Sequence, residues 1–578
     1  MDNLPQHVID TIVSYTIGRD KLRPELRTDT SPLTVPHTLY PLMGICREWR
    51  RVASSFIGES AIIFTNSQDT DNQNYPEDTP SLGHIIAAGL EHHVRHLQLE
   101  STIKDIADGM AYSTIDSLLS LCKGKLKGVQ TVSLHVSIAY EPGQQHFFMM
   151  GQPMADQQEQ TNMEKEVTQN SRRIGELLKE AMPNIISVVY SYVCHSRFNN
   201  QPLDNAILSA LLSAAPSAQY LSVLGGELSY TTLGSELAPN VKHMHVSLRN
   251  SGSNRIPELV IRFADRLETL TVDIQDGEQF SKLFKGPVDG SPVVYSKLRM
   301  LKVSGECYWR QEENSYTLQI NPFPELRRLI CRDVYPFRTS HVLRWIQPTV
   351  EVMEVNFRNY GYNQFVEDGV LDADSFPNLR RVNLSWHIGR DRISIADTAG
   401  QLPRVLSLSP VLKEVIFDTR VSSPTSAVVP LYRCRDLREL NLAGVQFTIA
   451  DAIGLINIFP NLQSVVLSLK TSHDVNERGD VSDAEVKEFL EKHDRVANSQ
   501  LRTLEISTVV FTTRPRAAQH ILLLASIFKS IQGIKIRSFN ERRDADILGA
   551  LDEAKQRKCF DNDGEGRLQC MKVSLVEK

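Results

Sequence analysis

The chain has 578 residues, of which 41% are apolar and 23% charged, and its formal net charge is −6. This composition is typical of a folded protein, and the mild negative charge argues against a general nucleic-acid binder, which needs a basic footprint. No apolar run approaches the roughly 18 residues of a membrane span, and residues 1–5 lack the start of a secretory signal. The eight cysteines form no C-x-x-C pair, so we expect free thiols and a cytoplasmic or nuclear location.

The N-terminal residues predict two amphipathic helices. The first opens with Leu4 and Pro5, and proline suits the first turn of a helix. Its apolar face contains Val8, Ile9 and Ile12. The apolar stripe of the second helix consists of Leu42, Ile45, Cys46, Trp49 and Val52.

These helices resemble the F-box family, whose pattern is L-P-x-x-apolar, a loop, and a helix containing V-C-(K/R)-x-W. Leu4-Pro5, Val8, Ile12 and the run from Ile45 to Arg50 match that pattern. The resemblance implies a helical hairpin that docks on a Skp-type adaptor of a cullin-based ubiquitin ligase. The implied adaptor contacts are Leu4, Pro5, Val8, Ile9, Ile12, Leu42, Ile45, Cys46, Trp49 and Val52.

The connecting segment is longer than an F-box usually has, which leaves a second interpretation open. An amphipathic hairpin also serves as the cap that covers the first unit of a repeat protein. We assign 1–58 to this F-box-like module and 59–93 to a linker and capping segment, with a short helix from Leu82 to Glu91.

Sixteen apolar triples with the spacing L-x-x-L-x-L fill the rest of the chain. They are Val94/Leu97/Leu99, Val129/Val132/Leu134, Ile185/Val188/Tyr190, Ala218/Leu221/Val223, Val241/Met244/Val246, Leu267/Leu270/Val272, Leu298/Leu301/Val303, Leu326/Leu329/Cys331, Val350/Met353/Val355, Leu379/Val382/Leu384, Leu412/Val415/Phe417, Leu437/Leu440/Leu442, Leu462/Val465/Leu467, Leu501/Leu504/Ile506, Ile531/Ile534/Ile536 and Leu568/Met571/Val573. The last two members of each triple alternate with other residues, as on one face of a strand, and proline precedes half of the triples. The spacing is that of a leucine-rich repeat.

We therefore predict an α/β fold for 94–578, a leucine-rich-repeat solenoid of about sixteen irregular repeats with an insertion near 141–166. Its parallel sheet lies on the concave side and its helices lie outside. The helices predicted between strands include 203–214, 517–528 and one that begins with the capping box of Ser482 and Glu485. The segment around Cys434 also resembles the cysteine-containing repeat class found with F-boxes, although most units here lack that class's polar residue after the strand.

The sequence contains no nucleotide-binding, zinc-protease or serine-hydrolase motif. His84, His92, His93 and His96 lie near one another, but adjacent His92 and His93 are expected to diverge. We predict no catalytic residue, no cofactor and no metal, and therefore no enzyme.

Basic residues collect at one position, directly after the first apolar residue of each triple, at the concave edge. They are Arg95, Lys242, Arg299, Arg327, Arg380, Lys413, Arg438 and Arg502. One interpretation is a solvated row whose side chains either extend into solvent or pair with Glu414 and Glu439 beside them. The other is a stripe, Arg299, Arg327, Arg380, Lys413, Arg438 and Arg502, that binds an acidic or phosphorylated partner.

Two functions remain open from the sequence. The first is a substrate-recognition subunit of a Skp/cullin/F-box ubiquitin ligase, with the hairpin on the adaptor, the cullin reached through it, and the repeats on a protein substrate. The alternative is a non-ligase repeat scaffold whose hairpin is only a cap. Neither function involves nucleic acid or a membrane.

Overall fold

The structure is a computed structural model that falls into two compact units, residues 1–298 (unit 1) and 299–578 (unit 2). The residues that it describes are 53, 56, 58–65, 80–122, 124–137, 157–193, 201–225, 238–248, 256–274, 280, 282–286, 291–305, 321–332, 348–358, 376–387, 408–418, 421–422, 434–470, 482–492, 500–510, 514–537, 549–553, 555 and 572–576.

The described part of unit 1 is an all-parallel sheet in which each strand pairs with the next along the chain. Its strands are β1 (Ser60–Phe64), β2 (His96–Thr102), β3 (Thr131–Ser137), β4 (Ser187–Val193), β5 (Tyr220–Leu224), β6 (His243–Leu248) and β7 (Thr269–Ile274). Its helices are α1 (Leu82–Ala87), α2 (Ile103–Ala107), α3 (Met110–Cys122), α4 (Gln157–Ala181), α5 (Gln201–Ala214) and α6 (Ile256–Arg262).

Unit 2 also contains a parallel sheet, in which neighbours along the chain pair except that β12 and β13 both pair with β14. Its strands are β8 (Met300–Ser304), β9 (Arg328–Arg332), β10 (Val352–Arg358), β11 (Arg381–His387), β12 (Glu414–Asp418), β13 (Val421–Ser422), β14 (Glu439–Phe447), β15 (Ser464–Lys470), β16 (Thr503–Val510), β17 (Gly533–Arg537) and β18 (Lys572–Val576). Its described helices are α7 (Ile449–Ile458), α8 (Asp483–Lys492) and α9 (Arg514–Ile527). The predicted α/β fold with parallel strands in tandem repeats is confirmed.

The apolar triples form the core in the predicted register. All triples but the last lie wholly within the described residues, and none of their members is more than 5% exposed. The second members of the triples lie at the same register position on neighbouring strands. Met353, Val382 and Val415 show this on three successive strands. Each buried side chain of this size stabilises the fold by about 1.5–3 kcal/mol, so the triples hold neighbouring repeats together.

A tight turn precedes the strands, and it explains the prolines. The N–H of Leu379 donates to the carbonyl of Phe376 over 3.1 Å, and that of Leu462 donates to Phe459 over the same distance. Phe376 and Phe459 are buried, and the proline that follows each of them has the fixed φ that the second position of such a turn requires. The proline thus lies within the turn.

An asparagine ladder links these turns, and the sequence analysis missed it. In four Pro-Asn turns the asparagine Nδ2 donates to a backbone carbonyl of the preceding repeat. In each case the accepting residue lies two positions before the first apolar residue of that repeat's triple. These bonds run from Asn184 to Lys127 (2.8 Å), from Asn240 to Pro216 (3.0 Å), from Asn378 to Pro348 (2.7 Å) and from Asn461 to Arg435 (2.9 Å). The polar ladder therefore precedes the strands, and it satisfies carbonyls that lie outside the sheet.

The helices pack on the face of the sheet that carries the triples. A small cavity in unit 1 is lined by Leu99 and Leu134 from the strands and by Ile115, Ile174 and Leu211 from the helices. The predicted capping box is present, because Ser482 N–H donates to Glu485 Oε2 (2.7 Å) and Glu485 N–H donates to Ser482 Oγ (3.3 Å).

Helices α4 and α5 approach each other closely at Gly175. A Cβ at this position would lie 2.6 Å from the carbonyl oxygen of Ala210, so only glycine permits the contact without a shift. Helix α4 begins at Gln157, so 157–166 of the predicted insertion is helical. Strand β1 was also missed, because Ser60–Phe64 lies in the segment interpreted as linker and cap.

Candidate partner-binding site

The ten predicted adaptor contacts lie outside the described residues. They are Leu4, Pro5, Val8, Ile9, Ile12, Leu42, Ile45, Cys46, Trp49 and Val52. The predicted hairpin therefore remains a prediction, and the described site consists of the repeats.

The predicted basic position forms a continuous row in each unit, which we call the strand-start row. Each member's N–H donates to the carbonyl of the preceding member, as Lys413 does to Arg380 and Arg438 to Lys413, both over 2.8 Å. In unit 1 the row is Arg95, Gln130, Ile186, Gln219, Lys242 and Glu268, and in unit 2 it is Arg299, Arg327, Glu351, Arg380, Lys413, Arg438, Gln463, Arg502 and Gln532. Neighbours in a parallel sheet lie about 4.8 Å apart, so side chains in this row stack next to one another.

The two basic residues of the row in unit 1 are bound within the protein. Arg95 Nη1 donates to the Gly128 carbonyl over 2.9 Å, and a Cβ at Gly128 would lie 1.7 Å from that nitrogen. Glycine therefore makes room for the guanidinium. Lys242 Nζ lies 3.0 Å from Glu268 Oε1, the acidic neighbour in the same row.

The row in unit 2 contains one acidic member, Glu351, between two arginines. Arg327 Nη1 lies 3.4 Å from one carboxylate oxygen, and Arg380 Nη1 lies 4.0 Å from the other. The other basic members of the row are exposed and have no ion pair with any residue that the structure describes; they are Arg299, Lys413, Arg438 and Arg502.

Among the described residues, neither Glu414 nor Glu439 forms an ion pair with Lys413 or Arg438, whose side chains are exposed. Arg381, the first residue of β11, places its Nε 3.3 Å from Glu414 Oε1, while Arg328 Nη2 lies 2.8 Å from Glu354 Oε1. Burial raises the pKa of the Glu414 carboxyl; Arg381 opposes this effect, and the charge of Glu439 adds to it. Glu414 and Glu354 are thus engaged with arginines of the strands, and no ion pair joins Lys413 or Arg438 to an acidic residue that the structure describes.

The open face of unit 1, opposite the triples, carries a polar network that the sequence analysis did not identify. Ser222 Oγ lies 3.3 Å from His245 Nδ1, and His245 Nε2 lies 2.8 Å from Asp273 Oδ2. With its proton on Nε2, His245 accepts from Ser222 and donates to Asp273, which is the order of a serine-histidine-aspartate relay. The signal was polar residues at alternate positions of three strands, but only the register shows that they meet.

A relay alone does not make a nucleophile, because the reaction also needs donors aimed at the developing oxyanion. Ser222 lies in the middle of β5, which pairs with β4 and β6. Backbone N–H groups in such a strand are directed along the sheet toward the neighbouring strands. We therefore interpret Ser222, His245 and Asp273 as a network that orders the open face.

Two half-buried titratable groups lie next to each other on β2 and β3. Burial raises the pKa of Glu100 to about 7, although Gln98 Nε2 donates to its carboxylate over 2.5 Å. Its register partner is His135, whose pKa burial lowers to about 4. Both groups thus favour their neutral forms.

The histidine cluster differs from expectation in one respect. The rings of His92 and His93 do not diverge, because a 3₁₀ turn at Glu91–His93 brings their centroids within 3.9 Å. The part of the chain that the structure describes contains no group of three histidine, cysteine or carboxylate residues placed to hold a metal ion. Among the described helices, none is both long and apolar enough to span a membrane.

The sequence matches no protein-family model and no curated protein. Among solved structures, a weak similarity connects the chain to one from the yeast complex of Rad7 and Elc1. The two chains share 11% sequence identity at a TM-score of 0.27, over 69% of this chain and 94% of the other.

Proposed function

We propose that this chain is the substrate-recognition subunit of a Skp/cullin/F-box type ubiquitin ligase. The N-terminal module binds the Skp-type adaptor, the cullin joins through the adaptor, and the strand-start row of unit 2 binds the target protein. The complex acts in the cytoplasm or nucleus. The observation that carries this proposal is the row itself, in which Arg299, Lys413, Arg438 and Arg502 are exposed and unpaired among the described residues.

The partner-binding role follows from the energetics of that row. Like charges stacked about 4.8 Å apart repel one another, and an external anion relieves the repulsion. Arginine offers paired N–H donors that match carboxylate or phosphate oxygens. The target therefore presents acidic or phosphorylated groups, and its binding weakens as the salt concentration rises.

The adaptor-binding role is supported by the resemblance of the first residues to an F-box. Trp49 and Ile12 are large apolar residues on predicted helical stripes, and such residues are the usual anchors of helical interfaces. In this proposal the chain is a receptor without a catalytic site of its own, and it needs no cofactor or metal.

Affinity purification of the full chain from its own cells tests the proposal. Adaptor and cullin subunits should copurify with the wild type and be lost with Trp49→Ala or Ile12→Asp. The control variant Arg438→Ser should retain both subunits, because it changes only the repeats. If the purified chain fails to bind the adaptor at micromolar concentration, the ligase proposal is wrong and the alternative of a scaffold with a capping hairpin replaces it.

A further inference from the structure

Glu351 shows how the strand-start row of unit 2 holds an anion. Its side chain is 32% exposed, and its two carboxylate oxygens face Arg327 on one side and Arg380 on the other. A carboxylate that occupies one place in the row is thus held by the basic residues of the two adjoining places. A carboxylate at the level of the row is therefore within reach of basic residues in the adjoining places.

Beyond Arg380 the described part of the row contains no acidic residue. Lys413 and Arg438 follow as direct neighbours, since Arg438 N–H donates to the Lys413 carbonyl. Both are exposed, and neither forms an ion pair within the described residues. Two like charges 4 Å apart in water repel by about 1 kcal/mol, and no ion pair within the described residues offsets the repulsion between these two cations.

The strand residues next to this pair restrict where an anion can lie. Glu414 and Glu439 follow Lys413 and Arg438 in the chain and lie opposite each other on β12 and β14. An anionic group that moved from the row onto the strands would approach these two carboxylates. A position next to Lys413 and Arg438 is therefore favourable for the anion. A position one residue further along the strands is unfavourable, because Glu414 and Glu439 lie there.

We infer that Lys413 and Arg438 form the main anion-binding pair of the partner surface and that Glu351 is a specificity residue that closes one end of it. The inference rests on the proposed function. The pair takes a carboxylate or phosphate on an extended polypeptide partner, which approaches from outside because Lys413 and Arg438 are direct neighbours with no place of the row between them. Glu351 in turn occupies those two arginines and keeps the partner's anionic groups off that end of the row.

Binding of labelled peptides to the purified full chain tests this inference. The probes are an octapeptide of alternating glutamate and serine, its counterpart with phosphoserine at the glutamate positions, and a neutral counterpart with glutamine. The wild type should bind one or both anionic peptides and not the neutral one, and the better of the two identifies the chemical source of the anion. No detectable binding of either anionic peptide at high micromolar concentration would overturn the inference.

Three variants separate the roles of the residues. Lys413→Ser combined with Arg438→Ser should weaken binding of the anionic peptide about tenfold, whereas Glu351→Gln should strengthen it about threefold because it releases Arg327 and Arg380. Lys492→Ser is the matched control, since it removes an exposed basic residue of unit 2 that lies on helix α8 and outside the row, and it should change the affinity little. Unchanged affinity in the double variant, or weaker binding by Glu351→Gln, would contradict the assignment.

Failure of the anion-pair inference can be distinguished from failure of the proposed function. Adaptor capture together with unaltered peptide binding in the variants would refute the anion pair and leave the ligase proposal intact. The predicted peptide effects without adaptor capture would support the pair on a scaffold that is not part of a ligase.

Discussion

Units 1 and 2 share a strand register and a core but use the strand-start row in different ways. In unit 1, Gly128 makes room for Arg95 and Glu268 pairs with Lys242, so both basic residues are held internally. In unit 2 one acidic residue, Glu351, serves two arginines, and Lys413 and Arg438 face solvent. The comparison teaches that a basic residue at this position does not itself mark a binding surface, because neighbouring residues decide whether its charge is available.

The largest effect is expected from breaking what the two units share. Leu440 is 1% exposed, and Leu440→Asp buries an unpaired charge among the triples, which should cost about 4 kcal/mol or more. Arg438→Glu, two residues earlier but exposed, should change the free energy of unfolding by only about 0.5 kcal/mol. Thermal melting of both variants checks this, and equal losses would refute the register.

The second prediction compares one glycine in each unit. Gly175→Ala places a Cβ 2.6 Å from the Ala210 carbonyl oxygen, so α4 and α5 must separate at a cost of about 1–2 kcal/mol. Gly454→Ala, in helix α7, meets no atom within 4 Å and should stabilise the protein by about 0.5–1 kcal/mol. Denaturant unfolding of both variants should show opposite signs, and a stabilising Gly175→Ala would contradict the packing described for unit 1.

The third prediction concerns pH and separates a half-buried carboxyl of unit 1 from an exposed one of unit 2. Because the pKa of Glu100 is raised from 4.5 to about 7 in the folded state, its contribution is fully present below pH 4.5 and is lost as the pH rises through 7. Glu100→Gln should therefore raise the free energy of unfolding at pH 8 by about 1–2 kcal/mol and leave it little changed at pH 4. Melting temperatures across this range, with Glu439→Gln as the exposed control, measure the effect. A variant that is less stable than the wild type at pH 8 would show that the charged form is favoured.

The smallest effect is expected at the asparagine ladder. Asn378→Ala removes the bond to the Pro348 carbonyl and should cost about 0.5–1.5 kcal/mol. Glu325 occupies the equivalent place before Leu326, and Glu325→Ala should be neutral because that exposed side chain makes no ladder bond. Urea titration of the two variants distinguishes them, and equal midpoints would show that the ladder contributes nothing measurable.

The core was predictable because the spacing of apolar residues in the triples indicates which side chains are buried. Leu379, Val382 and Leu384 alternate as a one-sided strand requires, and the same pattern repeats along the chain. Strand β1 escaped because Ser60–Phe64 has no such triple and lies beside a polar stretch. The sequence shows proline before half of the triples, but the role of the asparagines that follow some of these prolines was not predicted, because a single Pro-Asn pair reveals nothing about the carbonyl in the preceding repeat.

The candidate site was predictable only in part, because the spacing of residues within one repeat does not report contacts between repeats. The position of the basic row followed from the spacing of the triples, and the structure keeps Lys413 and Arg438 exposed there. Which charges are available depends on contacts between repeats, such as those of Glu351 with Arg327 and Arg380, and sequence spacing does not contain them. The network of Ser222, His245 and Asp273 likewise arises from three strands whose register had to be known first.

The most direct test of the receptor account is quantitative comparison of the proteins captured by the wild-type chain and by a triple variant, Arg380→Ser, Lys413→Ser and Arg438→Ser. The account predicts that the adaptor is captured equally by both. At least one other partner should be lost from the triple variant and released from the wild type by added salt. That partner should be ubiquitylated in the presence of the wild-type chain and not of Trp49→Ala. An identical set of partners for the two chains would contradict the account, because it would show that the row in unit 2 is only a solvated surface.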